Sequence, residues 1–440
     1  MVTLLQSLDW IQKRTGLDPA RNIESLTFVT TASSTICMQC RGSRMLCGKT
    51  FCPILSKAES LVKHLPHLNS DHVDGSSPPG AFVGHFGYPR VYLGPLIPPT
   101  KGDTTLLDTP ERWLGKDIQT IIDYRFSLIR GKSLLDVHEA VDPTKYLLDL
   151  HDLALSYRSV DVDAQFSKKP RIAITLSEET QPFGPSALIK NLIISPSTGE
   201  RKLESVYYDT DQRAVDAMAE LYHNNIQVSR IQRILSLGML GVQKQRKIVP
   251  TRWSITAVDD TLSKHLLQKI RNYQTLDKIQ VYKFEYLDNW YAAILSPRNW
   301  AFEWIEAWFP GTAWNETGSV TALMGDHEPF EGRTTYASVG GCYYSTRLAV
   351  AEALERMRKQ ASALVLREIR PGYVLPVGVW NVRESVRATL RTQPTTFDDF
   401  QHALAYACKE FKVKPDVWIR NSHLIREEMF QTRLSQYFRI

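Results

Sequence analysis

The chain has 440 residues, of which 43% are hydrophobic and 23% charged, and its formal net charge is +6. This is the composition of an ordinary globular protein that is large enough for two or three domains. No run approaches the roughly 20 apolar residues of a membrane span, and the N-terminus lacks the pattern of a signal peptide, so we expect a cytoplasmic protein that does not enter a membrane. The small positive charge permits contact with nucleic acid without requiring it.

The N-terminal region combines a predicted amphipathic helix, residues 3–15, with a dense cysteine cluster. Cys37, Cys40, Cys47 and Cys52 lie within sixteen positions, and the first two form a Cys-x2-Cys pair. Four thiolates in one short segment suit the tetrahedral coordination of a structural Zn²⁺. An iron–sulfur cluster would use the same ligands, and we favour zinc over it.

Residues 69–100 are rich in Gly, Pro and Ser, as in a surface loop. They also contain Phe82, Phe86, Tyr88 and Tyr92, which are costly to leave in water. We therefore expect ordered backbone with short strands that line a groove. No Lys-Ser/Thr pair follows the glycines, so a phosphate-binding loop for nucleotides is not supported.

The rest of the body mixes helical and strand patterns. Apolar spacing predicts a helix start at 108–113 and helices over 118–129, 146–155, 211–223, 228–240, 346–369 and 397–411. Alternation predicts strands over 171–176 and 374–382, a pair of strands over 192–195 and 204–209 joined by a turn, and a hairpin over 279–295. The central stretch 247–260 has no single period.

The last ten residues carry a spaced set of one polar and three apolar side chains. Gln431, Leu434, Tyr437 and Phe438 follow the spacing Gln-x2-Leu-x2-Tyr-Phe. This spacing resembles the peptide by which replication and repair proteins dock on the sliding clamp PCNA, where one helical turn presents the apolar residues to a pocket. The alternative is the last turn of an amphipathic helix that packs on its own domain. Docking is favoured, because two adjacent aromatic residues at a chain end are poorly placed to reach a core.

These patterns predict an α+β fold with three regions. Residues 1–60 would form a zinc-bearing region, and 61–411 a large mixed-sheet body that includes the Gly/Pro-rich 69–100 and the central 247–260. Residues 412–440 would form a flexible tail that carries the docking peptide.

Taken together, these features resemble the archaeal Nre family of DNA-repair proteins over almost the whole chain. The resemblance rests on the cysteine cluster, the C-terminal peptide, and the stretches SPP (77–79), FVG (82–84), GYP (87–89), GP (94–95), PFGPS (182–186), VPTRWSIT (249–256), GGCYY (340–344) with Arg347, and PVGVW (376–380) with Arg383 and Glu384. VPTRWSIT is the most specific of these stretches. The resemblance implies a role in DNA-damage repair and binding to PCNA through the C-terminal peptide.

Three functions stay open at this point. The first is a repair factor that PCNA recruits to the nucleoid and whose body binds or acts on DNA. The second is an enzyme of nucleic-acid or nucleotide chemistry, such as a nuclease, hydrolase or transferase. The candidate catalytic residues for the enzyme are Arg252, Ser254, Asp259, Asp326, His327, Arg347, Arg383 and Glu384, although salt bridges or solvated charges would explain each of them. The third is a structural zinc protein with RNA or ribosomes as its partner, which would leave the C-terminal peptide unexplained.

Overall fold

The computed structural model describes residues 9–15, 26–29, 39–64, 70–170, 172–175, 184–315 and 318–430. These residues form a mixed α+β fold, which confirms the predicted class. The chain divides into two compact units that each contain a six-stranded sheet. Unit 1 comprises Met1–Leu262 and Val374–Val377, and unit 2 comprises Ser263–Tyr373 and Gly378–Ile440.

Of the elements in the described residues, unit 1 holds the first eight strands and the first seven helices. The strands are β1 (Leu26–Val29), β2 (His72–Ser77), β3 (Ala81–Val83), β4 (Arg90–Ile97), β5 (Ile129–Asp136), β6 (Val160–Phe166), β7 (Ile172–Thr175) and β8 (Ser186–Ile194). The helices are α1 (Asp9–Thr15), α2 (Pro53–His64), α3 (Ile118–Phe126), α4 (Lys145–Leu155), α5 (Arg201–Tyr208), α6 (Ala214–His223) and α7 (Val228–Ser236). Helix α8 (Thr251–Ile270) begins in unit 1 and ends in unit 2.

The sheet of unit 1 has the order β2-β6-β8-β5-β4-β3, and its pairs are antiparallel except for β5 with β8. The Gly/Pro-rich stretch supplies β2, β3 and β4, so the prediction of ordered backbone with short strands is confirmed. Two 3₁₀ turns, Thr105–Asp108 and Pro110–Arg112, occupy the position of the predicted helix start. Strands β1 and β7 form a separate parallel pair.

Unit 2 holds the remaining elements. The strands are β9 (Ile279–Tyr286), β10 (Asn289–Ser296), β11 (Ala301–Trp308), β12 (Ala322–Glu328), β13 (Ser362–Ile369) and β14 (Thr395–Phe397). The helices are α9 (Gly341–Met357), α10 (Val379–Thr389), α11 (Phe400–Ala407), α12 (Pro415–Asn421) and α13 (His423–Phe430). The sheet order is β12-β11-β13-β10-β9-β14, with β11 and β13 parallel and the other pairs antiparallel.

The long helix predicted over 346–369 is wrong in its second half. Helix α9 ends at Met357 because Arg358 adopts a left-handed conformation with φ of 51° and its N–H bonds back to Glu355. Residues 362–369 then form β13, in which every side chain is buried. A strand covered on both faces shows no alternation, so its apolar run looks like a continuation of the helix.

Two further sequence assignments are corrected by the structure, and one stretch without an assignment is now placed. Residues 204–209 lie mainly in helix α5 and do not pair with β8 as a strand. The strand predicted over 374–382 is replaced by helix α10, which starts after Gly378 at a φ of 117°. Most of the central stretch 247–260 is the first half of α8, whose two faces are both partly buried and therefore show no single period.

The chain does not become a tail after residue 411. Val413, Trp418 and Ile425, from the segment that contains α12 and α13, are buried in the core of unit 2 with side chains of β9, β11 and α11. The ordered fold therefore continues to Phe430, and Gln431 directly follows its last described helix. Among the described residues, no helix is long and apolar enough to cross a membrane.

Candidate functional site

The cysteine segment is a turn-rich loop that leads into α2. Cys37 lies outside the described residues; Cys40 is buried, and Cys47 and Cys52 are half-buried. Gly42 and Gly48 have positive φ of 65° and 74° and make the turns that fold this loop back.

The sulfur atoms of this loop are surrounded by backbone donors. Burial alone would raise the pKa of the Cys40 thiol. Hydrogen bonds from several backbone N–H groups, led by Leu46 and Arg44, together outweigh that effect, so the pKa is lowered overall. Burial raises the pKa of Cys52, and the proximity of Cys47 and Cys40 adds to that rise. N–H donors around clustered sulfurs suit a thiolate-bound metal. Within the described residues, which omit Cys37, no three His, Cys, Asp or Glu side chains are arranged to hold a metal ion. The zinc site therefore stays a prediction.

Two of the predicted catalytic residues of unit 2, Asp326 and Arg347, belong to buried or half-buried ion pairs. Arg347 is 1% exposed and donates to Glu328 Oε2 over 2.8 Å and to Ser263 Oγ over 3.1 Å. Glu328, which is fully buried, also accepts hydrogen bonds from Trp300 and Tyr343. With these donors the carboxylate is well satisfied, as expected of a buried structural charge.

Asp326 and His327 lie next to this pair at the end of β12. Burial raises the pKa of Asp326, but hydrogen bonds from Arg333 (2.9 Å) and the Ser338 N–H (2.7 Å) outweigh it and lower the pKa overall. The imidazole of His327 stacks on that of His423 at a centroid distance of 4.1 Å.

The two histidines border a cleft of about 560 Å³ in unit 2. Its walls also include Arg298, Trp300 and Phe330, and its rim includes Glu427 and Glu428 of α13. Arg298 pairs with Glu428 over 2.7 Å. His327 is thus a predicted catalytic residue that lines a cavity large enough for a small molecule.

Arg383 and Glu384 belong to a second network, between α9 and α10. Arg383 Nε lies 3.4 Å from Glu384, and Arg387 donates to Glu384 over 2.8 Å and to Glu352 over 2.5 and 2.7 Å. These contacts tie the two helices together. A catalytic role for the pair stays a prediction.

The remaining candidates lie on α8, in unit 1. Ser254 is fully buried and donates to the Thr251 carbonyl over 2.9 Å. Asp259, also fully buried, accepts from Gln232 Nε2 over 3.1 Å. Arg252 is exposed at the first turn of the helix. Hence the predicted catalytic residues fall into separate local networks, and Arg252 belongs to a different unit from His327 and Glu384.

The exposed start of α8 meets the β3–β4 hairpin. The rings of Tyr88 and Trp253 lie 5.2 Å apart, and the Val83 N–H donates to Thr251 Oγ1 over 2.9 Å. We call the exposed side chains at this junction the hairpin surface; they are Phe86, Tyr88, Arg90, Arg252 and Trp253. The surface joins two of the stretches that carry the family resemblance, GYP and VPTRWSIT.

Sequence reasoning missed the buried charges on the central strands of unit 2. Glu306 on β11 accepts hydrogen bonds from Arg367, Trp304 and Trp308 at 2.9–3.1 Å. Cys342, at the first turn of α9, lies beside this cluster; burial and the nearby Glu306 carboxylate raise the pKa of its thiol. The sequence does contain a sign of these buried charges, because two glutamates stand within an otherwise apolar and aromatic stretch, AFEWIEAW at 301–308.

Hydrogen bonds to two more buried glutamates, both on strands of the unit 2 sheet, hold the C-terminal segment in place. Glu303 of β11 accepts hydrogen bonds from Ser422 Oγ (2.5 Å) and from the N–H groups of His423 (2.8 Å) and Leu424 (2.9 Å), at the start of α13. Glu368 of β13 accepts from the N–H groups of residues 412 and 413 at 3.1 and 2.7 Å. The docking positions Gln431, Leu434, Tyr437 and Phe438 lie outside the described residues.

Comparison with known proteins gives one consistent family. Residues 46–315 match the description "Archaeal Nre, N-terminal" and residues 328–437 match "Archaeal Nre, C-terminal". No solved structure matches the chain significantly.

Named relatives span most of the chain. DNA repair protein NreB of Archaeoglobus fulgidus is 44% identical over 89% of this chain and 97% of its own length. DNA repair protein NreA of the same organism is 36% identical over 86% of this chain and 94% of its own length. The NreA of Haloferax volcanii is 35% identical over 77% of this chain and 82% of its own length. The chain therefore belongs to the archaeal Nre family.

Proposed function

We propose that this chain is a DNA-damage repair factor and that the peptide containing Gln431, Leu434, Tyr437 and Phe438 recruits it to the PCNA sliding clamp. The observation that carries the repair role is the similarity, over most of its length, to relatives named DNA repair proteins. Its place of work would be the cytoplasm, at the nucleoid when it is recruited.

The clamp-docking part of the proposal is supported by spacing and by position. The family match extends to residue 437, so it includes three of the four docking positions. The peptide directly follows α13, whose first turn is fixed to the sheet by Glu303. A short apolar motif at the end of a fixed helix can enter a groove without rearrangement of the body.

A pull-down with purified PCNA tests the recruitment. The full-length protein should bind, and a Tyr437→Ala/Phe438→Ala variant should not, because the two rings supply most of the apolar plug. Ser435→Ala/Gln436→Ala is the matched control, since it alters the same peptide between the docking positions. Absence of binding by the wild type, or equal binding by the aromatic variant, would refute recruitment by this peptide.

We also propose that Cys37, Cys40, Cys47 and Cys52 bind one structural Zn²⁺, which would hold the N-terminal loop in place. The spacing and the backbone donors around Cys40 support this assignment. Native mass spectrometry should find one zinc in the wild type and none in Cys40→Ser, whereas Cys342→Ser should keep it. Iron in the protein, or zinc retained by Cys40→Ser, would contradict the assignment.

A further inference from the structure

The hairpin surface exposes aromatic rings that a soluble fold usually covers. Phe86 is 81% exposed, Tyr88 is 48% exposed and Trp253 is 45% exposed. The ring of His85 lies 4.0 Å from that of Phe86, which extends the aromatic area. Neighbouring apolar groups left in contact with water on one surface mark a site of interaction.

Backbone hydrogen bonds order the turn that carries Phe86 and Tyr88. The Gly84 N–H donates to the Tyr92 carbonyl over 2.8 Å, and the Arg90 N–H donates to the Gly87 carbonyl over 3.0 Å. Gly87 has a φ of +83°, and a Cβ there would lie 2.8 Å from the Arg90 carbonyl oxygen, so the turn requires glycine. A surface that is already ordered loses little conformational entropy when it binds a ligand.

Two arginines are close to these rings in the sequence, since Arg90 lies two positions after Tyr88 and Arg252 directly precedes Trp253. Arg90 and Arg252 are exposed, as is Lys247, whose neighbour Ile248 donates its N–H to Val137. The strand register sets Asp136 opposite Arg90, and this carboxylate accepts hydrogen bonds from the backbone N–H and the ring of His138 at 3.0 and 2.8 Å. Glu139 is half-exposed, and its Oε1 accepts from the Asp136 N–H over 3.0 Å in a capping box.

We propose that the hairpin surface binds single-stranded DNA, whose bases stack on Phe86, Tyr88 and Trp253 while Arg90 and Arg252 contact its phosphates. Exposed rings interleaved with arginines are the chemistry that single strands require. In a duplex the base faces are already stacked on one another, so a duplex could use only the cations. This inference rests on the proposed repair function and specifies that the DNA bound is single-stranded.

Fluorescence anisotropy with a labelled 20-nucleotide oligo(dT) and the full-length protein tests the proposal. Phe86→Ala should weaken binding about tenfold, the loss of one stacked base. Arg90→Gln/Arg252→Gln should flatten the dependence of log affinity on log salt by about 1.4, or about 0.7 for each lost phosphate contact. Because Phe86 is the most exposed of the three rings, its replacement should leave the thermal unfolding midpoint unchanged.

Tyr157→Ala/Arg158→Gln is the matched control, since Tyr157 is 62% exposed on the same unit and Arg158 lies 6.0 Å from its ring. It should bind oligo(dT) as the wild type does. Absence of oligo(dT) binding by the wild type, undiminished binding by Phe86→Ala, or equal affinity for the matching duplex or for oligo(U) would overturn the proposal.

The PCNA pull-down on the same variants separates this proposal from the recruitment proposal. The hairpin variants should keep clamp binding, and Tyr437→Ala/Phe438→Ala should keep oligo(dT) binding. Failure of the clamp peptide alone would refute recruitment and leave the DNA surface standing. Loss of clamp binding by Phe86→Ala, with DNA binding intact, would show that the surface docks a protein.

Discussion

At the scale of single residues, His151 shows how a buried group links stability to pH. Its side chain is 1% exposed, with Nε2 3.0 Å from the Leu237 carbonyl and Nδ1 3.1 Å from the Tyr207 hydroxyl. A neutral ring satisfies both contacts by donating from Nε2 and accepting at Nδ1. Burial lowers the pKa of His151 from its ordinary value near 6.5 to about 4.

We predict that acid destabilises unit 1 through this residue. Between pH 6.5 and 4 the unfolded chain binds a proton that the folded ring does not, so stability falls as the pH falls through this range. From pH 7 to 5 the loss is about 2 kcal/mol. Urea unfolding at both pH values should show that His151→Gln, although weaker than the wild type at pH 7, loses about 2 kcal/mol less on acidification. An identical loss of stability in His151→Gln and in the wild type would contradict the prediction.

The residue types alone could predict which chemistry a site can carry, but not which of those residues are buried. The cysteines and the aromatic hairpin were visible as composition, whereas the burial of Glu303, Glu306 and Glu328 was not. A glutamate in sequence is most often a surface residue, because a buried charge needs partners from distant positions. Glu303 obtains its partners about 120 residues further along the chain, at Ser422 and His423. Such pairing becomes visible only with the fold.

At the scale of elements, the start of α13 depends on a strand carboxylate. Glu303, 3% exposed, accepts from two backbone N–H groups and from the Ser422 hydroxyl, which itself accepts from the Ile425 N–H over 3.0 Å. The first N–H groups of a helix have no partner within it, and a negative charge there is also favoured by the helix dipole. This one side chain therefore caps the helix that leads to the docking peptide.

We predict that Glu303→Gln lowers the free energy of unfolding of unit 2 by about 1–3 kcal/mol, since a buried charge-assisted cap is replaced by an amide with one suitable acceptor. Urea unfolding monitored by tryptophan fluorescence measures the change, and hydrogen exchange should show earlier opening of α13. Glu331→Gln, at an exposed position, is the control and should be neutral. Equal stability of the Glu303 and Glu331 variants would rule out the capping role.

Elements bounded by a turn in the sequence were predictable, and covered elements without such a boundary were not. The hairpin of β9 and β10 was predicted although β10 is buried on both faces, and its turn lies at Leu287 and Asp288, which both have positive φ. Strand β13 was merged with α9, because burial on both faces removes the period that separates strand from helix. Helix α10 was predicted as a strand. The stretch PVGVW at 376–380, which runs into the first turn of the helix, is rich in valine, a β-branched residue that favours strands.

At the scale of the whole molecule, the fold includes the segment that leads to the docking peptide. Residues 413–425 contribute Val413, Trp418 and Ile425 to the core of unit 2, so α12 and α13 are integral parts of the fold. The extent of the chain that folds was underestimated because Arg420 to Glu428 is rich in charge and its few apolar side chains are widely spaced.

We predict that removing residues 431–440 abolishes PCNA binding and leaves the thermal unfolding midpoint unchanged, because the deletion keeps Val413, Trp418 and Ile425, which are buried in the core of unit 2. Differential scanning calorimetry measures the unfolding midpoint, and the clamp pull-down measures PCNA binding. Removing residues 415–440 is the comparison, and it should lower the midpoint sharply through loss of Trp418 and Ile425. A lower midpoint for the shorter deletion would favour the alternative in which the peptide packs on its own domain.

If the C-terminal peptide binds PCNA as we propose, its start directly after α13 limits the distance between unit 2 and the bound clamp. Ten residues span at most about 35 Å when extended, against roughly 100 Å for the thirty-residue tether expected from the sequence. At that range the proposed repair factor would meet DNA beside the clamp at an effective concentration of about a millimolar. An intrinsic dissociation constant for DNA in the millimolar range would then suffice, and the same weak affinity would let the protein leave once the clamp is released.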